Sequence, residues 1–280
     1  MEFGEFRVPD AYEHKVAIER NGKWVEEDMY KAIVGENGEV YAIVSKYYRL
    51  VLHRDVIDAT NEALKEMGIE PIDYWADVSW DGAVMFYKVL IRELEIDGNK
   101  LRFGLMVTNS YNLKLGINVL GFGMNMFCMN QMMFGREILK VKKRHREGSV
   151  GVELENLKDA IVEVIDGLEN IKDIIVAARE KKVSALEIVR FIRDLKLSKR
   201  NVIKVCKLIE KYAQFNVGAE LIYGVLKEEV PEAVKKTEVT LWDLYSAVTD
   251  FLTHHFKSKD LSKVLELQNK AAKLLVKEVR

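Results

Sequence analysis

Cysteine is almost absent from this 280-residue chain, which has only Cys128 and Cys206. Two thiols cannot build a disulfide scaffold, a four-cysteine zinc site or a cysteine-ligated cluster. Proline is nearly as scarce, and none falls between Pro71 and Pro231. Glutamine occurs three times against 29 lysines and 29 glutamates. Abundant Lys and Glu with few thermolabile amides is the composition of thermophile proteins, although asparagine is not scarce here. Net charge is also missing, since 43 basic side chains face 44 acidic ones and bulk charge selects no partner. The opening MEFGEFRVPD is acidic and has no long apolar run, unlike a signal peptide. No GxxxxGK[ST] loop occurs, and Gly121-Phe122-Gly123 lacks the third glycine of a dinucleotide loop. His14, His53, His145, His254 and His255 make no HExxH pair and no cysteine–histidine zinc pattern. The expectation is therefore no cofactor, no metal and no assigned catalytic residue. What remains is core-forming material: 49% hydrophobic and 31% charged residues, in a chain long enough to bury most of its surface without a staple. That length fits one large domain or two modest ones.

The first half reads as antiparallel strands. KVAIER and KWV flank Asn21-Gly22, residues that tolerate the positive φ of a tight hairpin. Tyr30–Val34 and VYAIVS flank a second turn at residues 36–39, and RLVLH extends the strand region. Arg54 to Gly68 predicts a helix, with Val56, Ala59, Ala63, Leu64 and Met67 near helical spacing and Gly68 as the stop. Val78 to Glu95 alternates, and Asp97-Gly98 turns it into KLRFGLMVTNS. Residues 115–135 carry no charge; their four glycines and buried amides predict a strand pair, or a strand entering a short helix, rather than a membrane span.

From Val152 the apolar period becomes helical. Leu154, Leu157, Ile161, Val164, Ile165, Leu168, Ile171 and Ile175 form one long stripe. Ser184 with Glu187 and Thr240 with Asp243 predict capped helix starts, Ser198 starts another helix, and residues 260–280 form the last. The fold class is thus α+β: an antiparallel sheet with one helix in residues 1–148, and a helical domain in residues 149–280.

Charge is segregated along the chain. Residues 1–115 hold 14 basic and 21 acidic side chains, a balance of −7. Residues 136–146 balance to +5 and residues 179–211 to +7. The first cationic piece is Lys140, Lys142, Lys143, Arg144, His145 and Arg146, either a phosphate-binding cluster or a solvated linker. The second suggests two helices joined at Lys196–Ser198. As a helix-turn-helix it would present Lys199, Arg200, Asn201 and Lys204 to nucleic acid; as an ordinary amphipathic pair it would bury Ile188, Phe191, Ile192, Leu195, Val202, Ile203, Val205 and Leu208 with cations outside. On a helix Asp73, Asp77 and Asp81 would share a face and could hold a divalent cation, whereas Trp75, Val78 and Trp80 indicate a strand. Tyr47, Tyr48, Trp80 and Tyr111 are candidates for base stacking or for sheet packing. The Met-rich 124–133 stretch reads as core filler or an oligomer contact.

Four segments resemble a phage- and plasmid-like group of prokaryotic proteins, domain of unknown function family 932. They are VYAIVSKYYRLVLHRDVIDATNEAL; Thr108-Asn109-Ser110-Tyr111; Phe127-Cys128-Met129-Asn130, followed by Arg144-His145; and LWDLYSAVTDFLTHH. The order matches across about residues 40–255. Asn112-Leu113-Lys114 departs from that family's small, glycine-containing turn, and Arg146 replaces a threonine. The resemblance implies a motif core at Asn109, Ser110, Tyr111, Cys128 and Asn130, and a setting in viruses or mobile elements. The strand and helix order is also similar in outline to single-strand annealing proteins, which form rings with a basic groove. The expected function is a non-catalytic, cytoplasmic nucleic-acid-binding protein, acting on DNA as a homo-oligomer with no membrane contact. The alternatives are a structural or assembly protein and a metal-dependent nuclease using the three aspartates.

Overall fold

A computed structural model describes residues 7–96, 99–125, 130–134, 142–143, 150–168, 171–213, 224, 238–256 and 261–279. Asn21 and Gly22 take φ of 53° and 75° and close a two-residue turn. The turn returns strand β1 (Ala11–Arg20) as β2 (Lys23–Gly35), and β3 (Val40–Ser45) adds to β2's other side. The sheet order is β1-β2-β3, antiparallel throughout, as the two turn signals predict. RLVLH does not extend it. Residues 48–52 take no strand conformation, because Asp55 accepts a hydrogen bond from the Leu52 N–H and starts helix α1 (His53–Glu66) there. Gly68, at φ 68°, ends α1. Its N–H donates to the Lys65 carbonyl and that of Ile69 to the Leu64 carbonyl, the paired bonds of a Schellman stop. Val56, Ile57, Ala59, Thr60, Ala63 and Leu64 make the buried face.

The second sheet runs β4 (Asp73–Ser79), β5 (Val84–Ile96), β6 (Asn99–Ser110), β7 (Ile117–Asn125) and β8 (Asn130–Phe134) in order, with β9 (Lys142–Lys143) beside β7. The strand expected from Val78 to Glu95 is therefore two strands. Trp80, Asp81 and Gly82 all take positive φ and fold β4 back on β5, in register from Asp73↔Leu90 to Ser79↔Val84. Val84 to Leu90 are buried without alternation, so both faces of β5 are covered there. The uncharged 115–135 run forms the expected strand pair β7–β8. Among the described residues no helix is long and apolar enough to cross a membrane.

The C-terminal half is mostly helical, and the fold is α+β. The single stripe from residue 154 to 175 is carried by two helices, α2 (Val150–Leu168) and α3 (Ile171–Glu180). Helices α4 (Ala185–Asp194) and α6 (Leu241–Asp250) begin at the expected capping boxes. Ser184 N–H donates to Glu187 and Glu187 N–H to Ser184 Oγ; Thr240 and Asp243 do the same. Helix α5 is Lys199–Ala213 and helix α7 is Leu261–Val279. Compact packing divides the chain into a unit of residues 1–92, 104–120 and 139–165 and a unit of residues 93–103, 121–138 and 166–280. In the second unit α6 packs against α3, α5, α7 and β8.

In the first unit, a Cβ on Gly104 would land on the Val89 carbonyl of β5. That neighbour is backbone in a buried strand and cannot step aside. Gly104→Ala is expected to cost at least about 3 kcal/mol. Chemical denaturation should show a lower midpoint; an unchanged midpoint would contradict this packing.

Candidate functional site

The Thr108–Tyr111 segment lies where β6 ends, and all four residues are buried. Tyr111 Oη accepts the His53 N–H at 2.8 Å and donates to the Pro9 carbonyl at 3.3 Å. The imidazole of His53 stacks on the Tyr111 ring, with centroids 3.8 Å apart and 18° between planes. His53 Nε2 lies 3.0 Å from the Gly82 carbonyl, which can only accept, so Nε2 carries the proton. Nδ1 then accepts from Asn109 Nδ2 at 3.0 Å, and the second Nδ2 hydrogen goes to the Val51 carbonyl at 3.0 Å. Burial lowers the His53 pKa to about 4. The imidazole is neutral near pH 7, which is what this bonding pattern requires. Four separate stretches of chain meet at one buried clasp: Pro9, Val51 with the start of α1, the β4–β5 turn and the end of β6. Asn109 Oδ1 alone accepts nothing there.

The neighbouring residues shape the next loop. Ser110 Oγ bonds the Leu115 carbonyl and accepts the Leu115 N–H at 3.0 Å. Thr108 Oγ1 donates to Gly116 O at 3.1 Å and accepts from Asn118 Nδ2 at 3.0 Å. The loop has no glycine at Asn112-Leu113-Lys114, so Leu113 itself takes φ 62°, supported by the Asn112 side chain on Lys114 N–H. Asn109, Ser110 and Tyr111 thus hold structure together and face no open surface. Cys128 lies outside the described residues; Asn130 opens β8 opposite Asn125. The other cysteine, Cys206, is buried, with its pKa raised to about 12 by burial, and is no nucleophile.

The cationic candidates divide. Lys140, Arg144, His145 and Arg146 fall outside the described residues, and Lys142 and Lys143 form β9, opposite Asn118 and Ile117. In the second segment the early cations are already engaged. Arg179 donates to the Ile96 carbonyl, Lys181 pairs with Glu278 and Lys182 with Glu238. Lys211 pairs with Asp250 at 3.4 Å. Between them, Lys196, Lys199, Arg200 and Lys207 are exposed, Lys204 is half-buried, and none forms an ion pair with a described residue. Arg200, Lys204 and Lys207 follow helical spacing on α5, opposite buried Val202, Val205, Cys206 and Ile209. The first turn of α5 holds no acidic residue, and Lys199 and Arg200 stand there against the helix dipole. Both cations and free N–H groups at that end favour an anion.

Other expectations resolve differently. Asp73 and Asp77 lie on strand β4, where four residues span about 13 Å. Asp77 is held by Lys88 at 2.6 Å, and among the described residues no three potential ligands cluster for a metal ion. Of the four stacking candidates, Tyr111 is fully buried, Tyr48 and Trp80 are half-buried and Tyr47 is exposed. Sequence reading did not find Asp250. This buried carboxylate at the end of α6 accepts from Tyr212 Oη at 2.9 Å and lies 3.6 Å from His255 Nε2. A wide π turn, Phe251–His255, brings the histidine round. The nearby LWDLYSAVTDFLTHH segment was the available signal.

The family model described as Domain of unknown function (DUF932) matches residues 40–274. No curated protein and no solved structure matches the chain.

The clasp generates a pH dependence. His53 titrates near 4 when folded and 6.5 when free, so the unfolded chain binds the extra proton between those values. Stability is full above pH 6.5 and falls as pH drops toward 4, by about 3 kcal/mol in total. His53→Gln should unfold more easily at pH 7 and lose much of that slope. Thermal midpoints from pH 7 to 4 check both; an unchanged slope would contradict the clasp.

Proposed function

This chain belongs to the family described as Domain of unknown function (DUF932), and from that premise we propose that it is a non-catalytic nucleic-acid-binding protein of a virus or mobile element. It binds DNA in the cytoplasm, as a homo-oligomer. The observation that carries this reading is the unneutralised run on α4–α5: Lys196, Lys199, Arg200, Lys204 and Lys207, set opposite the core with no ion pair among the described residues. Phosphates reward such a face whatever their sequence, through counterion release. Lys199 and Arg200 oppose their own helix dipole, an arrangement that helix stability alone does not favour. In the sequence, Lys142 and Lys143 belong to the other cationic segment. Exposed Tyr47, with Lys46 Nζ 5.2 Å from its ring centre, supports stacking on unpaired bases, as single-strand annealing requires. The mobile-element setting rests on the motif resemblance, and the Lys- and Glu-rich composition supports a thermophilic host.

Fluorescence anisotropy with labelled single- and double-stranded oligonucleotides tests the reading. Binding is expected at low salt and should weaken steeply as salt rises. Replacing Arg200, Lys204 and Lys207 together by Ala should lower the salt slope by about 2 to 3. No binding at low salt, or an unaltered slope in the triple variant, would remove the proposal.

A further inference from the structure

The β1-β2-β3 sheet leaves one face largely open, and its two edge strands, β1 and β3, pair with no further strand among the described residues. Directly opposed residues share a face, which puts Tyr12, Val16, Ile18, Val25, Val34 and Ile43 together. The opposite face, at the root of the sheet, packs Ala11, Ile33 and Val44 on Tyr111. On the first face Tyr12 is 50% and Ile43 55% exposed, Val25 is exposed, and Val16, Ile18 and Val34 are half-buried. β1 is an edge strand along its whole length.

The hairpin fixes which backbone groups of β1 are free. A two-residue turn closes on a pair that exchanges both hydrogen bonds, here Arg20↔Lys23. Even-numbered residues near the turn therefore bond inward to β2. At the other end Glu36 N–H donates to the Asp10 carbonyl, which gives the same parity. Lys15, Ala17 and Glu19 consequently turn their N–H and C=O groups to the open edge.

We propose that β1 pairs antiparallel with β1 of a second copy of this chain, about a two-fold axis at Ala17. This register places Lys15 opposite the partner's Glu19 and Val16 opposite the partner's Ile18, and joins two three-stranded sheets into one. The charges complement each other. Glu19 is exposed and has no ion pair among the described residues, while Lys15 reaches Glu26 only at the surface. The apolar stripe Val25–Ile18 continues across the axis into the partner's Val16. Registers with the axis nearer the start of β1 fail. An axis at Lys15 opposes two lysines, and an axis at Val16 sets Glu13 against the partner's Glu19. An axis at His14 needs the edge of Ala11, which is 3% exposed.

The inference rests on the homo-oligomer part of the functional reading and gives it a surface. Sedimentation of the full chain is expected to show a dimer or an even multiple of it. Ala17→Pro removes an N–H that β2 does not use, so the hairpin should persist while the dimer is lost. Glu19→Lys should weaken association about tenfold, and combining it with Lys15→Glu should restore it. The charge pair decides the matter if circular dichroism shows the proline variant misfolded. A dimer indifferent to all these changes overturns this interface alone; a monomeric unaltered chain overturns the interface and the oligomer together. Neither result touches the anisotropy assay, which reads α5.

Discussion

A neutral imidazole held between one donor and one acceptor is the constraint on which the first unit depends. His53 gives its only proton to the Gly82 carbonyl and takes one from Asn109, while its own N–H goes to Tyr111. Each bond joins residues at least 29 positions apart. Unpaired buried polar groups are costly, and this arrangement of the four chain segments gives partners to both ring nitrogens and the N–H of His53. The clasp therefore selects how α1, the β4–β5 turn and the end of β6 meet. A charged His53 has no acceptor at Nδ1, which is why burial and proton count are coupled here.

This assignment moves function away from the motif residues. Asn109, Ser110 and Tyr111 are buried, bonded and remote from solvent, so they hold a frame in place. On the proposed reading, contact with nucleic acid is left to surface groups. On α5 these are Arg200, Lys204 and Lys207, while Lys181, Lys182 and Lys211, equally basic in the sequence, are taken up by Glu278, Glu238 and Asp250. The distinction is one of neighbours, and within this cationic segment of 33 positions it sets Lys196, Lys199, Arg200, Lys204 and Lys207 apart from the engaged cations.

Local signals were legible where the physics is local. Asn21-Gly22, Gly68 and both capping boxes act within a few residues, and the structure has each of them where the sequence implies. The Trp80–Gly82 turn was missed although Asp81-Gly82 is the same kind of signal as Asp97-Gly98, because the apolar residues on both sides read as one strand. RLVLH looked like a strand until the Asp55 carboxylate, three residues beyond Leu52, claimed that N–H. The partners of His53 lie 29 to 58 positions away, so a lone histidine carried no sign of its role. The position of Asp250 beside Tyr212 and His255 depends on a π turn that periodicity does not encode. Asn109–Tyr111 could be singled out by resemblance, but only the fold shows that they bond inward.

The division of labour between a buried clasp and a cationic helix face can be read in one experiment. Hydrogen exchange of the chain with and without a single-stranded oligonucleotide, at low salt, would report both regions at once. The account predicts slowed exchange in the first turns of α5, at residues 199–207, and no change at residues 108–111. Slowed exchange at 108–111 with none on α5 would contradict it.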